Sequence, residues 1–365
     1  MTTMQMTDVL TLSPSPRITD VTPYHSPTPA RPIDLWLNGN EGLAPPTTLM
    51  DGLGGSMVEL VRRYPNVSEL EALIAEREGV PRECVVVTAG ADDAIYRACL
   101  TVLDRGRELI LPVPTFEMIE RYARLAGGEI IPIDWSRGQY PTDSVINTIT
   151  SRTALIAVVS PNNPTGAVAS SEDVRRLGAA APQALLLVDQ AYGEFAEENL
   201  TRAALELPNA LVSRTLSKAW GLAGLRVGYA LGPVRIIRWL RCAGNPYSVA
   251  SLSAALAIRR LREGEAALRI FVERIRAERA ELCDVLREIG AEPRPSQANF
   301  VLAGFENAAG FCDGLARRGI AVRAFPNHPS ISDCLRITCP GEPAAFARLL
   351  DELRQVAVDI KESER

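Results

Sequence analysis

Lys218 stands in the stretch "SRTLSKAWGLAGLRVGYALG" (213–232), which sets hydroxyls, one lysine and several glycines between two apolar runs. The only other lysine, Lys361, lies in the charged C-terminal tail. An amine placed among hydroxyls after an apolar run can act as a nucleophile toward a carbonyl or as a general base. Comparable residues follow other apolar runs. "AGADDAIYR" follows 85–88; Gly90 permits a tight turn there, and the backbone N–H groups of Ala91 and Asp92 open a helix, a natural seat for a phosphate. "VPTFEM" brings Phe116 after 109–112, "SPNNPTG" (160–166) brings Asn163, and "VDQAY" brings Asp189 and Tyr192. Ser217, Lys218 and Arg226 follow the run that ends at Thr215.

An amine, a buried acid, a flat ring, a phenol with an amide, and a phosphate seat with an arginine are together what pyridoxal phosphate requires. Lys218 can form an imine with the cofactor aldehyde and return as a base near the substrate Cα. Asp189 would keep the pyridine nitrogen protonated, so that the ring accepts carbanion electrons. Phe116 would stack on the ring face, while Asn163 and Tyr192 would hydrogen-bond its oxygen. Ser217 and Arg226 would hold the phosphate with the Gly90 turn, and Thr215 at the strand end is counted with them. Taken singly, Lys218 reads as a solvated loop residue, Asp189 as a helix cap and Phe116 as core. Jointly, that bland account needs a separate coincidence at the end of each strand.

The elements that position these residues alternate. Val-, Ile- and Leu-rich runs at 85–88, 109–112, 130–133, 155–160, 185–189, 211–215 and 227–231 are separated by helical segments, the signature of a largely parallel sheet. In such sheets ligands sit at the carboxyl ends of the strands. After about residue 245 the pattern changes: one long helix over 262–289 leads into short strands at 298–302, 320–324 and 334–338, mixed with helices at 308–318 and 343–359. The division expected is an N-terminal arm (1–45) contributing to a small domain, a large cofactor domain (46–260) and a small α+β domain (261–365).

Composition removes other function classes. With 39 basic against 44 acidic side chains, no general attraction to nucleic acid or an anionic membrane is expected. Seven scattered cysteines without CxxC spacing and only two histidines, His25 and His328, argue against a disulfide framework, a metal site or a Ser-His-Asp relay. No long apolar span and no signal peptide are seen, so a cytoplasmic protein is expected.

The blocks "SPNNPTG", "VDQAY" and "RTLSKAWGLAGLRVGY" resemble those of fold-type I aminotransferases, in order. "TPY" (22–24), "DLWLNGNEG" (34–42), "RRYP" (62–65), "SQANFVL" (296–302), "GIAVR" (319–323) and "CLRIT" (334–338) resemble the histidinol-phosphate aminotransferase family across nearly the whole chain. The resemblance implies the α/β fold of type I pyridoxal-phosphate-dependent transferases, a large domain with a mostly parallel sheet plus a smaller α+β domain. It also implies a homodimer with shared active sites, in which Tyr64 reaches the partner's cofactor phosphate. Arg336, with Arg323 and Tyr24, would hold the anionic end of the substrate, and Asn38 is placed at the same site. Arg323 equally reads as a surface strand residue, and the glycines of "GLAGLRVG" as packing residues. This sequence has "DQAY" where the family has DEAY, "NEGL" for NENP, "CPGEP" for VGTREE, and Ser248 for a second proline; each change is expected near the substrate side chain.

The activity expected is amino transfer between a small-molecule donor such as histidinol phosphate and 2-oxoglutarate. Alternatives on the same scaffold are a transaminase for an aromatic or unusual basic amino acid and a phospho-amino-acid decarboxylase. A non-catalytic cofactor-binding regulator would be expected to carry a basic DNA-binding module, which is not seen.

Overall fold

The computed structural model describes residues 14–19, 21, 23, 31–51 and 54–363. Tyr24 lies outside them. A two-residue strand, β1 (Leu35–Trp36), precedes the main sheet. That sheet has seven strands: β2 (Val85–Thr88), β3 (Glu108–Val113), β4 (Glu129–Asp134), β5 (Thr153–Val159), β6 (Leu185–Asp189), β7 (Ala210–Thr215) and β8 (Gly228–Leu231). Their order is β2-β8-β7-β6-β5-β3-β4.

Both faces of the sheet are covered, and its strand sequences show it. Along β5, Leu155, Ala157 and Val159 pack into one apolar cluster while Ile156 and Val158 pack into the other, the period-2 alternation of a strand. Helices Gly90–Val102, Glu117–Ala126 and Val234–Ala243 cover the first face through Ala94, Ile95, Ala98, Ile119, Ala123, Ile237 and Leu240. The second face is covered by Ser68–Glu78, Ser171–Ala180 and the C-terminal helices. At about 1.5–3 kcal/mol per fully buried large apolar side chain, these two layers dominate the folding free energy.

The sheet is parallel except at β8, which runs antiparallel to both β2 and β7. The cause is the β7–β8 connection, which holds Lys218 and only a 3-10 turn at Ala223–Leu225. A parallel neighbour needs a crossover, commonly a helix, and this loop has none.

The C-terminal strands are β9 (Glu292–Pro293), β10 (Phe300–Gly304), β11 (Ile320–Ala321), β12 (Arg323–Ala324) and β13 (Cys334–Thr338). Four of them form an antiparallel sheet, β12-β13-β10-β9, and β11 pairs in parallel with β1 of the N-terminal segment. Three details differ from the sequence reading. The long helix expected over 262–289 is found as Glu265–Glu288, and Gly264, whose N–H bonds to Arg260 O at 2.9 Å, separates it from a further helix, Ser251–Glu263. The run 320–324 divides into β11 and β12. Strand β10 begins at Phe300, because Asn299 instead turns its amide onto the carbonyls of Asn40 and Glu41.

Candidate active site

The carboxyl ends of β2, β3, β5, β6 and β7 open into a cavity of about 610 Å³, closed on the far side by the N-terminal segment and β12 and β13. Asn38, Ala91, Asp92, Phe116, Asn163, Asp189, Tyr192, Thr215, Ser217, Lys218, Arg226, Arg323 and Arg336 all line it. Tyr64 does not. It is 81% exposed and stacks on Tyr247, with ring centroids 4.7 Å apart.

At one end is an anion seat. Gly90 starts helix Gly90–Val102 with φ +82, a conformation that favours glycine, and the Arg226 guanidinium packs close over it. Arg226 itself has φ +52, which turns its side chain back over the helix start. Its Nη1 reaches Ser217 Oγ at 3.3 Å and its Nη2 reaches Asp92 Oδ2 at 2.9 Å. Thr215 Oγ1 donates to Ser217 Oγ at 2.9 Å and accepts the Ser217 N–H at 3.1 Å. Helix N–H groups, two hydroxyls and a guanidinium converge here, the donor set for a phosphate.

Asp189, at the end of β6, is 3% exposed. Burial pushes its carboxyl up to about 6, against the lowering effects of Ser213, the Ala191 N–H and the Lys218 charge. Ser213 Oγ donates to Asp189 Oδ1 at 2.5 Å. A desolvated carboxylate on a cavity wall favours a cation opposite it.

Lys218 lies between these two ends. Its Nζ donates to Gly39 O at 3.0 Å and stands 5.6 Å from the Tyr192 ring centroid. The turn is locked by Gly42 and Gly221: a side chain on Gly42 would strike the Lys218 carbonyl, and one on Gly221 the Leu43 carbonyl. Gly221 is thus a packing residue, as is Gly228, where a Cβ would meet the Gly90–Ala91 backbone and the Arg214 carbonyl, whereas Gly224 has open space around it.

The opposite wall is cationic. Arg323 and Arg336 are register partners across β12 and β13. Arg336 donates to Asn163 Oδ1 and to Asn38 O, both at 2.5 Å, and its guanidinium lies 5.3 Å from the Phe300 ring centroid. Arg323 Nη2 is 3.6 Å from Glu117 Oε1. With its oxygen on Arg336, Asn163 keeps its amide N–H groups for the cavity.

Several participants were not singled out from sequence. Asn162, fully buried, ties the Asn163 loop down by donating to Pro114 O and Thr165 Oγ1 and accepting from Thr115 Oγ1. Asn40 donates to the Tyr192 oxygen at 2.9 Å. Trp36, Glu117, Tyr122, Phe325 and His328 line the cavity; the spacing of "PTFEM" already placed Glu117 next to Phe116. Of the divergent blocks, "NEGL" lines the cavity through Asn40 and Glu41, and "DQAY" through Asp189, Ala191 and Tyr192. The "CPGEP" turn is drawn away by helix Glu265–Glu288, where Glu278 Oε2 accepts the Gly341 N–H at 2.8 Å and Arg274 donates to Gly341 O at 3.1 Å. Ser248 is likewise elsewhere, accepting from Arg97 at 3.0 Å.

Residues 56–353 match the family Aminotransferase class I and II. The chain is 36% identical over 277 residues to the histidinol-phosphate aminotransferase of Thermoanaerobacter pseudethanolicus, covering 75% of this chain and 78% of that protein. It is 33% identical over 344 residues to an aromatic amino acid aminotransferase of Mycobacteroides abscessus, covering 91% and 96%. In fold it is similar to the crystal structure of histidinol-phosphate aminotransferase from Sinorhizobium meliloti in complex with pyridoxal-5'-phosphate, with a TM-score of 0.83, 21% identity, and 95% and 98% of the two chains covered. A phosphate seat, a buried carboxylate and an amine between them fit that cofactor, and the chain belongs to the class I and II aminotransferases as a pyridoxal-phosphate-dependent enzyme.

Proposed function

We propose that the enzyme transaminates a donor whose far end is a dianionic phosphate, histidinol phosphate, with 2-oxoglutarate accepting the amino group. The observation that carries this reading is the register pairing of Arg323 with Arg336 at the cavity wall. Like charges directly opposite across a strand pair are destabilising, and a dianion between them removes that cost. A monocarboxylate needs one guanidinium; a phosphate has charge and oxygens for two.

When bound, pyridoxal phosphate supplies a carbonyl that takes the donor's amino group and a ring that takes up the electron pair left at Cα. The side chains divide the remaining work. Ala91 and Asp92 N–H groups, Thr215, Ser217 and Arg226 hold the phosphate. Asp189 would keep the proton on the ring nitrogen, which its burial favours. Phe116 covers one ring face, and Asn163 and Tyr192 hold the ring oxygen. The Lys218 amine would take the Cα proton and return it, on the same face, to the carbon that had carried the cofactor's carbonyl oxygen. Asn38 fixes Arg336 through its carbonyl.

The reading extends to a homodimer with shared sites. Met57, Val58 and Val61 lie exposed on helix Gly54–Arg62, beside the exposed Tyr64–Tyr247 stack, and a second copy would cover them and bring Tyr64 to its own cavity. It also extends to a reducing, cytoplasmic compartment, which the seven free cysteines suit. Among the described residues no helix is long and apolar enough to cross a membrane.

A donor panel tests the substrate. Histidinol phosphate is expected to bleach the visible band of the bound cofactor fastest; a faster response to phenylalanine or histidine would overturn the assignment. Mixing Lys218→Ala with Tyr64→Ala protein is expected to regain activity through hybrid sites, and no recovery after verified subunit exchange would count against sharing.

A further inference from the structure

The placement of Tyr192 leaves open which way its hydroxyl proton points. Three buried contacts decide it. Thr338 follows Arg336 by two residues on β13, so strand periodicity puts both side chains on one face. Both meet the same N-terminal segment: Arg336 at Asn38 O, Thr338 at Leu37 O and Asn40. Thr338 Oγ1 is 2.9 Å from Asn40 Oδ1, and Asn40 Nδ2 is 2.9 Å from the Tyr192 oxygen. The three residues are 2%, 1% and 4% exposed.

Polarity propagates along such a chain, because a hydroxyl has one proton, an amide oxygen only accepts and an amide nitrogen only donates. Leu37 O, 2.7 Å from Thr338 Oγ1, already accepts the Thr338 backbone N–H at 3.2 Å. Asn40 Oδ1 is the acceptor that would otherwise be left buried without a donor, at a cost larger than a normal hydrogen bond returns. The Asn40 backbone is held as well: φ is +52, a region asparagine tolerates, and its carbonyl accepts from Asn299 Nδ2 at 3.3 Å.

We infer that Thr338 and Asn40 are positioning residues for the reaction: Thr338 O–H donates to Asn40 Oδ1, Asn40 Nδ2 donates to the Tyr192 oxygen, and the Tyr192 proton is turned into the cavity as a donor to an anionic oxygen on the cofactor ring. The inference rests on the proposed role of Tyr192. The β13 strand thus acts twice, through Arg336 on the substrate end and through Thr338 on the cofactor end.

The test is a pH titration of the visible absorption of the holoenzyme. Donation to an anion lowers the pKa of its conjugate acid, so losing the donor raises the midpoint. Tyr192→Phe is expected to raise it by about one pH unit, the size of one hydrogen bond to a charged group. Thr338→Val keeps the side-chain shape and is expected to raise it by about half of that, Asn40→Asp by about as much as Tyr192→Phe, and Thr338→Ser not at all. Thr338→Val added to Tyr192→Phe is expected to shift nothing further, since the chain then ends on no proton. A shifted Tyr192→Phe with Thr338→Val and Asn40→Asp at the parent midpoint overturns the chain alone, whatever they do to rate or stability. A lowered midpoint in Thr338→Val overturns its direction. A Tyr192→Phe protein at the parent midpoint overturns the placement of Tyr192 and the chain with it.

Discussion

The two ends of the cavity are built differently. At the cofactor end, Asp189, Thr215, Ser217, Lys218 and Arg226 come from the ends of adjacent strands or the loop between β7 and β8; Thr215 and Arg226 bond to Ser217 within that stretch, and longer contacts, Lys218 to Gly39 and Arg226 to Asp92, are added to that frame. At the substrate end, Arg336 meets Asn38 and Asn163 across separations of 298 and 173 residues. The first end is fixed by strand and turn geometry, whereas the second is fixed only once the N-terminal segment, the large sheet and β13 have come together. Changes at the first should therefore abolish chemistry, and changes at the second should grade it.

The sharpest break expected is Lys218→Ala. Its amine donates to Gly39 O, and the turn that carries it is held by backbone packing at Gly42 and Gly221. Turnover is expected to fall by at least about a thousandfold, the combined loss of nucleophile and base, with the circular dichroism spectrum and thermal midpoint near those of the parent. A small external amine should restore part of the rate. Parent-like turnover would remove Lys218 from the reaction.

Asp189→Asn is expected to lower turnover by about a hundredfold or more, since an amide cannot hold the ring-nitrogen proton. Stability supplies an independent reading. The Asp189 pKa is raised from 3.8 to about 6 in the fold, so its favourable contribution is complete below about pH 4 and is lost as pH rises through 6. Above that, the apoenzyme carries a desolvated charge worth up to about 3 kcal/mol. Apo Asp189→Asn should consequently be more stable than the parent at pH 8, equal to it near pH 4, and the advantage should disappear when the cofactor binds. Denaturant melts at the two pH values check the sign, and a parent apoenzyme more stable than the variant at pH 8 would show that another cation already pairs with Asp189.

This contrast also explains what could be read from the sequence. Asp189, Lys218, Arg226 and Phe116 each follow an apolar run, so strand ends and turn chemistry located them without tertiary knowledge. Asn40, inside "DLWLNGNEG", was not singled out, because its bonds to Tyr192 and Thr338 come from folding. Thr338 had a usable signal, two residues after Arg336 on a strand. The reversed direction of β8 left no mark in its apolar residues; the signal was the short loop before it. The long helix was legible from its apolar period, and only its start, set by Gly264, lies three residues beyond the expected 262. "CPGEP" pointed the wrong way, since a divergent turn next to Arg336 in sequence is held outward by Arg274 and Glu278.

At the substrate end, Arg323→Ala is expected to weaken histidinol phosphate by about 2 kcal/mol, around thirtyfold, and glutamate much less. On the proposed assignment, Arg336 alone would suffice for a carboxylate. Equal losses for both substrates would remove the division of labour between the two arginines.

The smallest effect, and the one that most sharpens the contrast, concerns Glu117. Its carboxylate stands 3.6 Å from Arg323 and its side chain is 58% exposed, so the pair is screened and worth less than about 1 kcal/mol. It still competes with any anion that approaches Arg323. A dianionic phosphate meets that repulsion more strongly than a carboxylate held by Arg336. Glu117→Gln is therefore expected to tighten histidinol phosphate by about two- to fivefold at low ionic strength, to leave glutamate nearly unchanged, and to lose the effect in about 1 M salt, where the screening length falls to about 3 Å. Inhibition by inorganic phosphate should tighten in parallel. Weaker binding of histidinol phosphate in this variant would mean that Glu117 instead holds the donor's imidazole, and the anionic end of the substrate would then belong to Arg336 alone.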